Sequence, residues 1–119
     1  MDKKILAFVV DNNPADVLIL KHYARQLQLE FVDSAKTAEE AFAKIPKLSK
    51  QGVQIVFIEG NGDEQEGGMI AEAIRKECPQ VKIVGYSGFP SYDWSDANLP
   101  KASISVESLL DVLKSLKLF

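Results

Sequence analysis

Short apolar runs recur along this chain and are separated by longer amphipathic stretches. The first run, Ile5 to Val10, is apolar at every position, as expected of a strand covered on both faces. Runs from Val53 to Ile58 and from Val81 to Tyr86 are mostly apolar, each with one polar residue, Gln54 and Lys82. Residues 31–33, Phe-Val-Asp, add a short predicted strand that is second in chain order.

The stretches between these runs predict helices. Asn13 and Pro14 form a helix start, with a capping side chain followed by proline at the first helical position. The residues from Thr37 to Glu40 resemble a capping box, and Pro46 should bend or shorten the helix they open. We expect residues 60–67 to form a loop before the third helix. Apolar residues recur at helical spacing in four segments, at residues 17–27, 41–48, 69–74 and 106–116.

Alternating strands and helices predict a parallel sheet with helices on both faces. In such sheets, binding sites form at the carboxyl ends of the strands. This placement brings five polar side chains into one crevice, namely Asp11, Asn12, Glu59, Ser87 and Lys101. The prediction of a shared crevice rests on the fold alone and assigns no chemistry to these residues.

The strands that end in Asp11, Glu59 and Ser87 resemble those of the receiver domain of two-component response regulators. The resemblance implies an α/β, flavodoxin-like fold with a five-stranded parallel sheet in the order 2-1-3-4-5. It implies that Glu59 stands at the position of the phosphoacceptor aspartate. Ser87 and Lys101 would then be equivalent to the switch residues of the family.

The spacing of two further residues agrees with the same family. Gly67 lies eight positions after Glu59, where the family has a loop glycine, and Arg75 lies eight positions after Gly67, where it has an arginine of the third helix. The resemblance covers about residues 3–88 and 101–117.

Three departures affect the chemistry that the resemblance implies. Glu59 is one methylene longer than aspartate, which would misplace it for in-line phosphoryl transfer. Asn12 replaces an acid that helps to hold a divalent metal, and phosphoryl transfer depends on that metal. Residues 88–98 are too few for a full helix with its connections, so we predict a loop or one helical turn there, with the fourth helix shortened or missing. Asn98 falls where the family has an aromatic switch residue.

Three aromatic residues lie in this short segment, Phe89, Tyr92 and Trp94. They could fold back over the sheet face that the lost helix leaves bare, since an uncovered apolar face is costly. They could also form a partner-binding surface, because aromatic residues are enriched at binding hot spots. We expect at least one of the three to be partly exposed.

The role of Glu59 has three alternatives on sequence grounds. It could be a structural remnant, a partial mimic of the phosphorylated state, or a working phosphoacceptor, with Asp63 as the nearest alternative acceptor. A buried carboxylate at a strand end needs a donor or a cation. We therefore predict a polar contact from Glu59 to Lys101 or Ser87.

Composition narrows the class of protein further. The 119 residues suit one domain spanning positions 1–119, and the net charge of -3 without a basic run argues against a nucleic-acid partner. The one cysteine, Cys78, excludes an internal disulfide and fits a reducing cytoplasm. No apolar run is long enough to cross a membrane.

These observations favour an atypical receiver domain that binds signalling proteins without aspartyl phosphorylation, is not an enzyme and needs no cofactor. The alternative is a phosphorylatable single-domain response regulator with a weak Mg²⁺ site. An unrelated small flavodoxin-like enzyme is a third hypothesis, disfavoured because no phosphate-binding or flavin-binding loop follows the first strand.

Overall fold

Strands and helices alternate along the computed structural model, which describes residues 4–59, 64–88 and 92–119. The strands in these ranges are β1 (Ile5–Val10), β2 (Leu29–Ala35), β3 (Ile55–Ile58), β4 (Lys82–Ser87) and β5 (Ala97–Pro100). The α-helices are α1 (Pro14–Arg25), α2 (Ala38–Lys44), α3 (Glu64–Glu77) and α4 (Val106–Ser115). Short 3-10 turns follow α2 at Ile45–Lys47 and β5 at Lys101–Ser103.

All five strands are parallel and lie in the order β2-β1-β3-β4-β5. This confirms the predicted fold class. Alternate residues of β1 point to opposite faces of the sheet, so Ala7 and Val9 join the apolar layer beneath α1 and α4. Phe8 and Val10 join the layer beneath α2 and α3. Burial on both faces explains why the central strands are uniformly apolar.

The helix starts follow from local sequence. The Asn13 side chain accepts hydrogen bonds from the backbone N–H groups of residues 15 and 16, and Pro14 is the first residue of α1. Ser105 and Ser108 form a reciprocal capping box at the start of α4. Thr37 caps α2, but the Glu40 carboxylate accepts from the N–H of Lys36, so the predicted capping box there is only half formed. The α-helical turns of α2 end before Pro46, as predicted.

Several predicted boundaries were wrong. The second strand covers Leu29–Ala35 and is longer than residues 31–33, because pairing with β1 extends it beyond its apolar stretch. The third strand begins at Ile55 and not at Val53. The loop predicted at residues 60–67 ends earlier, since α3 already begins at Glu64. Glycine in a helix is disfavoured by propensity alone, and the packing of Gly67, described below, accounts for its presence in α3.

The connection from β4 to β5 contains no helix among its described residues, 88 and 92–96. This agrees with the predicted loss of the fourth helix. The predicted loop at residues 88–98 was too long, however, because Ala97 and Asn98 already belong to β5 and pair with β4. Residues 92–96 therefore lead directly into an edge strand.

Candidate functional site: a lysine shared by three carboxylates

Four of the residues predicted for the crevice lie at the carboxyl edge of the sheet. Asp11 and Glu59 directly follow β1 and β3, Ser87 is the last residue of β4, and Lys101 directly follows β5. Parallel strands end side by side, so residues that are far apart in sequence become neighbours here. The edge collects acidic groups on its central strands and one cation from its outer strand.

The Lys101 ammonium lies among three carboxylates. Its Nζ atom is 2.9 Å from Asp11 Oδ2 and 2.8 Å from Asp16 Oδ2, and it donates a short hydrogen bond to Glu59 Oε2. The side chains of Asp11 and Glu59 are 0% and 9% exposed, whereas that of Lys101 is 16% exposed. The predicted contact between Glu59 and Lys101 is confirmed.

Asp16 belongs to this cluster but was not among the residues predicted from the sequence. It lies in the first turn of α1, on the turn that faces the end of β1. The Tyr86 hydroxyl donates a 2.9 Å hydrogen bond to the carbonyl oxygen of Asp16 and ties this turn to β4. Asn12, which was predicted to line the crevice, has an exposed side chain. The third acidic group is therefore supplied from α1 and not from position 12.

A signal for Asp16 was present in the sequence. A helix that starts immediately after a strand directs the residues of its first turn towards the end of that strand, and Asp16 is the acid in that turn. The family resemblance drew attention to position 12, and the substitution by asparagine there suggested that an acid had been lost. The local geometry of α1 restores one.

Electrostatics explain why the lysine stays charged. Burial alone would lower the pKa of Lys101, but contacts with Asp16, Glu59 and Asp11 outweigh burial and raise the pKa above 10.5. The ammonium also lies 5.0 Å from the centre of the Tyr86 ring, a favourable cation–π distance. Lys101 is accordingly a fixed positive charge at the carboxyl edge.

Asp11 is the most constrained of the three acids. Burial raises its pKa, and the opposing effects of the Asn13 N–H group and of Lys101 compensate only partly. Asp11 Oδ1 accepts a 2.9 Å hydrogen bond from the N–H of Asn13. Asp11 Oδ2 is buried and makes no hydrogen bond within the described residues, so its approach to Lys101 is close but poorly directed. This oxygen depends on the positive charge of Lys101.

The same three acids provide a donor set suited to a divalent metal. One oxygen each from Asp11, Asp16 and Glu59 can be chosen so that all lie within 4.8 Å of one another. Carboxylate oxygens are the ligands that Mg²⁺ prefers. The Lys101 ammonium contacts all three, so a metal that entered this space would compete with an internal cation. The donor set fits a metal, and the lysine opposes its binding.

Ser87 is buried and is engaged away from solvent. Its hydroxyl group forms a 2.6 Å hydrogen bond with the hydroxyl of Tyr92. The Tyr92 ring packs on Gly85, where an added Cβ would lie 2.8 Å from Tyr92 Cδ2. Tyr92 is itself 7% exposed, so the partial exposure expected of at least one of the three aromatic residues does not fall on this ring, and its role in partner binding stays a prediction. Its hydroxyl and ring instead hold the end of β4.

Trp94 is partly exposed and covers α3. Its ring stacks on that of Tyr92, with centroids 4.6 Å apart, and packs against Gly67 and Gly68. The Arg75 guanidinium donates a 2.6 Å hydrogen bond to the Trp94 carbonyl oxygen. One ring therefore closes over the core and the other is partly accessible, while the interpretation as a partner-binding surface stays a prediction. Phe89 and Asp63 lie outside the described residues.

None of the helices in the described ranges combines the length and the apolar character that crossing a membrane requires.

Comparison with solved structures identifies the fold. A CheY-like receiver domain of a response regulator from Methanospirillum hungatei JF-1 is 22% identical with a TM-score of 0.75, covering 97% of this chain and 95% of that one. A CheY-like receiver domain from Methylobacillus flagellatus is 23% identical with a TM-score of 0.76, covering 96% and 99%. A response regulator from Thermotoga maritima is 20% identical with a TM-score of 0.77, covering 96% and 98%. The chain thus has the fold of response regulator receiver domains. No protein-family model and no curated protein matches the sequence.

Proposed function

We propose that this chain is an atypical receiver domain that acts in two-component-type signal transduction by binding a protein partner, without phosphorylation of an aspartate. The observation that carries the proposal is the position of the Lys101 ammonium among Asp11, Asp16 and Glu59. A cation that is covalently part of the chain offsets part of the negative charge of the three carboxylates. The domain then needs no cofactor to hold the carboxyl edge of the sheet together. In this proposal it acts in the cytoplasm as a binding module and not as an enzyme.

The position of Glu59 supports the same proposal. A phosphoacceptor must present a free carboxylate oxygen to the donor in line with the leaving group. The Glu59 side chain is 9% exposed, and its Oε2 atom accepts the hydrogen bond of Lys101. The extra methylene of Glu59 and its hydrogen bond with Lys101 both oppose in-line attack of the carboxylate on a phosphodonor. Glu59 places a carboxylate at the acceptor position, and a carboxylate carries less negative charge than a phosphate group.

The connection between β4 and β5 is the proposed partner-binding region. Trp94 is partly exposed, whereas Tyr92 beneath it is buried. Because Arg75 and Asp96 fix the backbone of this connection, the indole is presented from a rigid support. Rigid aromatic side chains are frequent binding hot spots. Binding here would use the surface that appeared when the helix was lost.

A second candidate is a phosphorylatable receiver with a weak Mg²⁺ site. The observation in its favour is Asp16, which returns a third carboxylate to the cluster and gives the metal a plausible donor set. In this case Lys101 would have to withdraw before Mg²⁺ could enter. The two candidates therefore differ in whether the Lys101 contacts persist in the presence of metal and phosphodonor.

Amide NMR spectra test the proposal. Spectra would be recorded for the protein alone, with Mg²⁺, and with Mg²⁺ plus acetyl phosphate. A phosphorylation-independent domain keeps the signals of Glu59, Ser87 and Lys101 unchanged in all three samples. A second set of signals for these residues that needs both additions, and that disappears in Glu59→Gln, would support the phosphorylatable alternative instead.

A further inference from the structure

A cavity of about 480 Å³ lies at the edge of the sheet opposite to the acidic cluster. It is lined by Lys4 before β1, by Lys21 and Arg25 in the last two turns of α1, and by the first residues of β2. Its volume falls within the range of about 300–1,000 Å³ that small-molecule sites occupy. No residue of the acidic cluster takes part in it, so the cavity is independent of the proposed function.

The floor of the cavity is apolar. Leu29, which is 4% exposed, and the partly buried Phe31 both line it. The Phe31 ring packs against Phe57 with centroids 5.7 Å apart and joins the apolar layer under α1. This contact braces the ring from the core side. A flat apolar group entering the cavity would meet a preformed aliphatic and aromatic surface.

The rim of the cavity is positively charged. Lys4 pairs with Glu30 at 2.9 Å, while Lys21 and Arg25 have no ion-pair partner in the part of the chain that the structure describes. Three cations and one acid among the lining residues leave two net positive charges, in a chain whose net charge is -3. Lys21 and Arg25 lie one helical turn apart on α1, so both can reach one ligand.

We propose that this cavity binds a small organic anion, a carboxylate or phosphate ester with a planar apolar body. The body would lie on Leu29 and Phe31, and the anionic group would be bound by Lys21 and Arg25. A guanidinium binds a carboxylate or phosphate through two parallel hydrogen bonds, and an ammonium adds a further donor. Affinity therefore needs the apolar body and the negative charge together.

Arg25 also lies in the last turn of α1, where a cation is favourable for the helix dipole. A dipole role and a ligand role predict different effects of substitution. Loss of the dipole contact lowers thermal stability, whereas loss of a ligand contact lowers affinity at unchanged stability. Lys21 lies one turn earlier, so Lys21→Gln separates the two roles even if a variant at Arg25 folds poorly.

The probe is 2-naphthoate, and an amide NMR titration measures its binding. Two compounds serve for comparison: 2-naphthamide is a neutral analogue of the same shape, and inorganic phosphate is an anion without an apolar body. We expect saturable shifts at residues 29–31 with 2-naphthoate. 2-Naphthamide should bind to the parent protein about tenfold more weakly than 2-naphthoate does, since one charge-assisted contact is worth about that factor. The Lys21→Gln variant should bind 2-naphthoate about tenfold more weakly than the parent does, at an unchanged melting temperature. Lys114→Gln, at an exposed lysine of α4, is the matched control and should bind normally. Absence of saturation, equal binding of the neutral analogue, or full affinity in Lys21→Gln would overturn the proposal.

Discussion

The indole ring of Trp94 lies directly against Gly67 of α3, where an added Cβ atom would come within 2.6 Å of Trp94 Cζ2. Gly68 faces the same ring, and a Cβ there would lie 3.2 Å from Trp94 Cδ1. Two adjacent glycines in a helix thus create the space into which the indole packs. This contact attaches the connection between β4 and β5 to α3 in place of a helix.

The first prediction concerns Gly67→Ala. In an ordinary helix interior this change stabilises the fold by about 1 kcal/mol. Here the added methyl group would meet a rigid ring, so we expect a net loss of about 1–3 kcal/mol in the free energy of unfolding. Urea unfolding measures it. Repeating Gly67→Ala in a Trp94→Ala background removes the clash, and there the alanine should be neutral or stabilising. A Gly67→Ala protein more stable than the parent would contradict the packing described.

The second prediction concerns Lys101→Met, which keeps most of the side-chain volume and removes the charge. Three carboxylates would then face one another without a cation. Breaking a fully buried ion pair costs about 3–5 kcal/mol, and because Lys101 is 16% exposed we expect a smaller loss of about 2–3 kcal/mol. Chemical unfolding of the variant measures it, with Lys114→Met on the surface of α4 as the control.

The same variant provides a second readout. If Lys101 opposes metal binding, Mg²⁺ should raise the melting temperature of Lys101→Met more than that of the parent, because ligand binding stabilises the folded state by mass action. Equal stability of the parent and the variant, or an identical response to Mg²⁺, would show that the ammonium does not hold the cluster.

The third prediction concerns alkaline pH. The pKa of Lys101 is raised above 10.5 in the folded protein, and burial raises the pKa of Tyr86 above its ordinary value. Both groups keep their protons in the folded state at a pH where the unfolded chain loses them. Their contribution to stability is therefore complete below the unfolded pKa values and is lost as pH rises through the folded ones.

Urea unfolding from about pH 8 to about pH 11 measures this effect, with a slope of up to about 1.4 kcal/mol per pH unit for each group. Lys101→Met should remove one part of the slope and Tyr86→Phe the other. A stability that does not change over this range would contradict the assigned contacts.

The fourth prediction concerns the buried hydrogen bond between Ser87 and Tyr92. Ser87→Ala and Tyr92→Phe should each lower the free energy of unfolding by about 1 kcal/mol, the usual value for one hydrogen bond. The double variant should cost less than the two single changes added together, because both remove the same contact. Strict additivity would mean that the two hydroxyl groups do not depend on each other.

The central fold could be predicted from the sequence because its strands are covered on both faces. Full burial leaves an uninterrupted apolar run, as in β1 and β3, and the capping residue Asn13 fixes where α1 begins. The edge strand β5 has no such pattern. It contains Ala97 and Asn98, which belong to a strand because β4 provides their hydrogen bonds, and that pairing is a tertiary effect.

The candidate site was predictable in part for the same reason. Strand ends are local features, so the positions of Asp11 and Glu59 at one edge followed from the fold. The part played by Asp16 depends on how α1 is placed over β1, and that of Tyr92 depends on the absence of a side chain at Gly85. These relations are contacts between packed elements, and composition or periodicity does not encode them.

The most direct test of the central claim is the intact mass of the protein after incubation with acetyl phosphate and Mg²⁺. A domain whose acceptor position is a partly buried glutamate bound by Lys101 should show no species heavier by one phosphoryl group, in the parent or in Glu59→Gln. A stoichiometric phosphoryl adduct in the parent that is absent from Glu59→Gln would contradict the account.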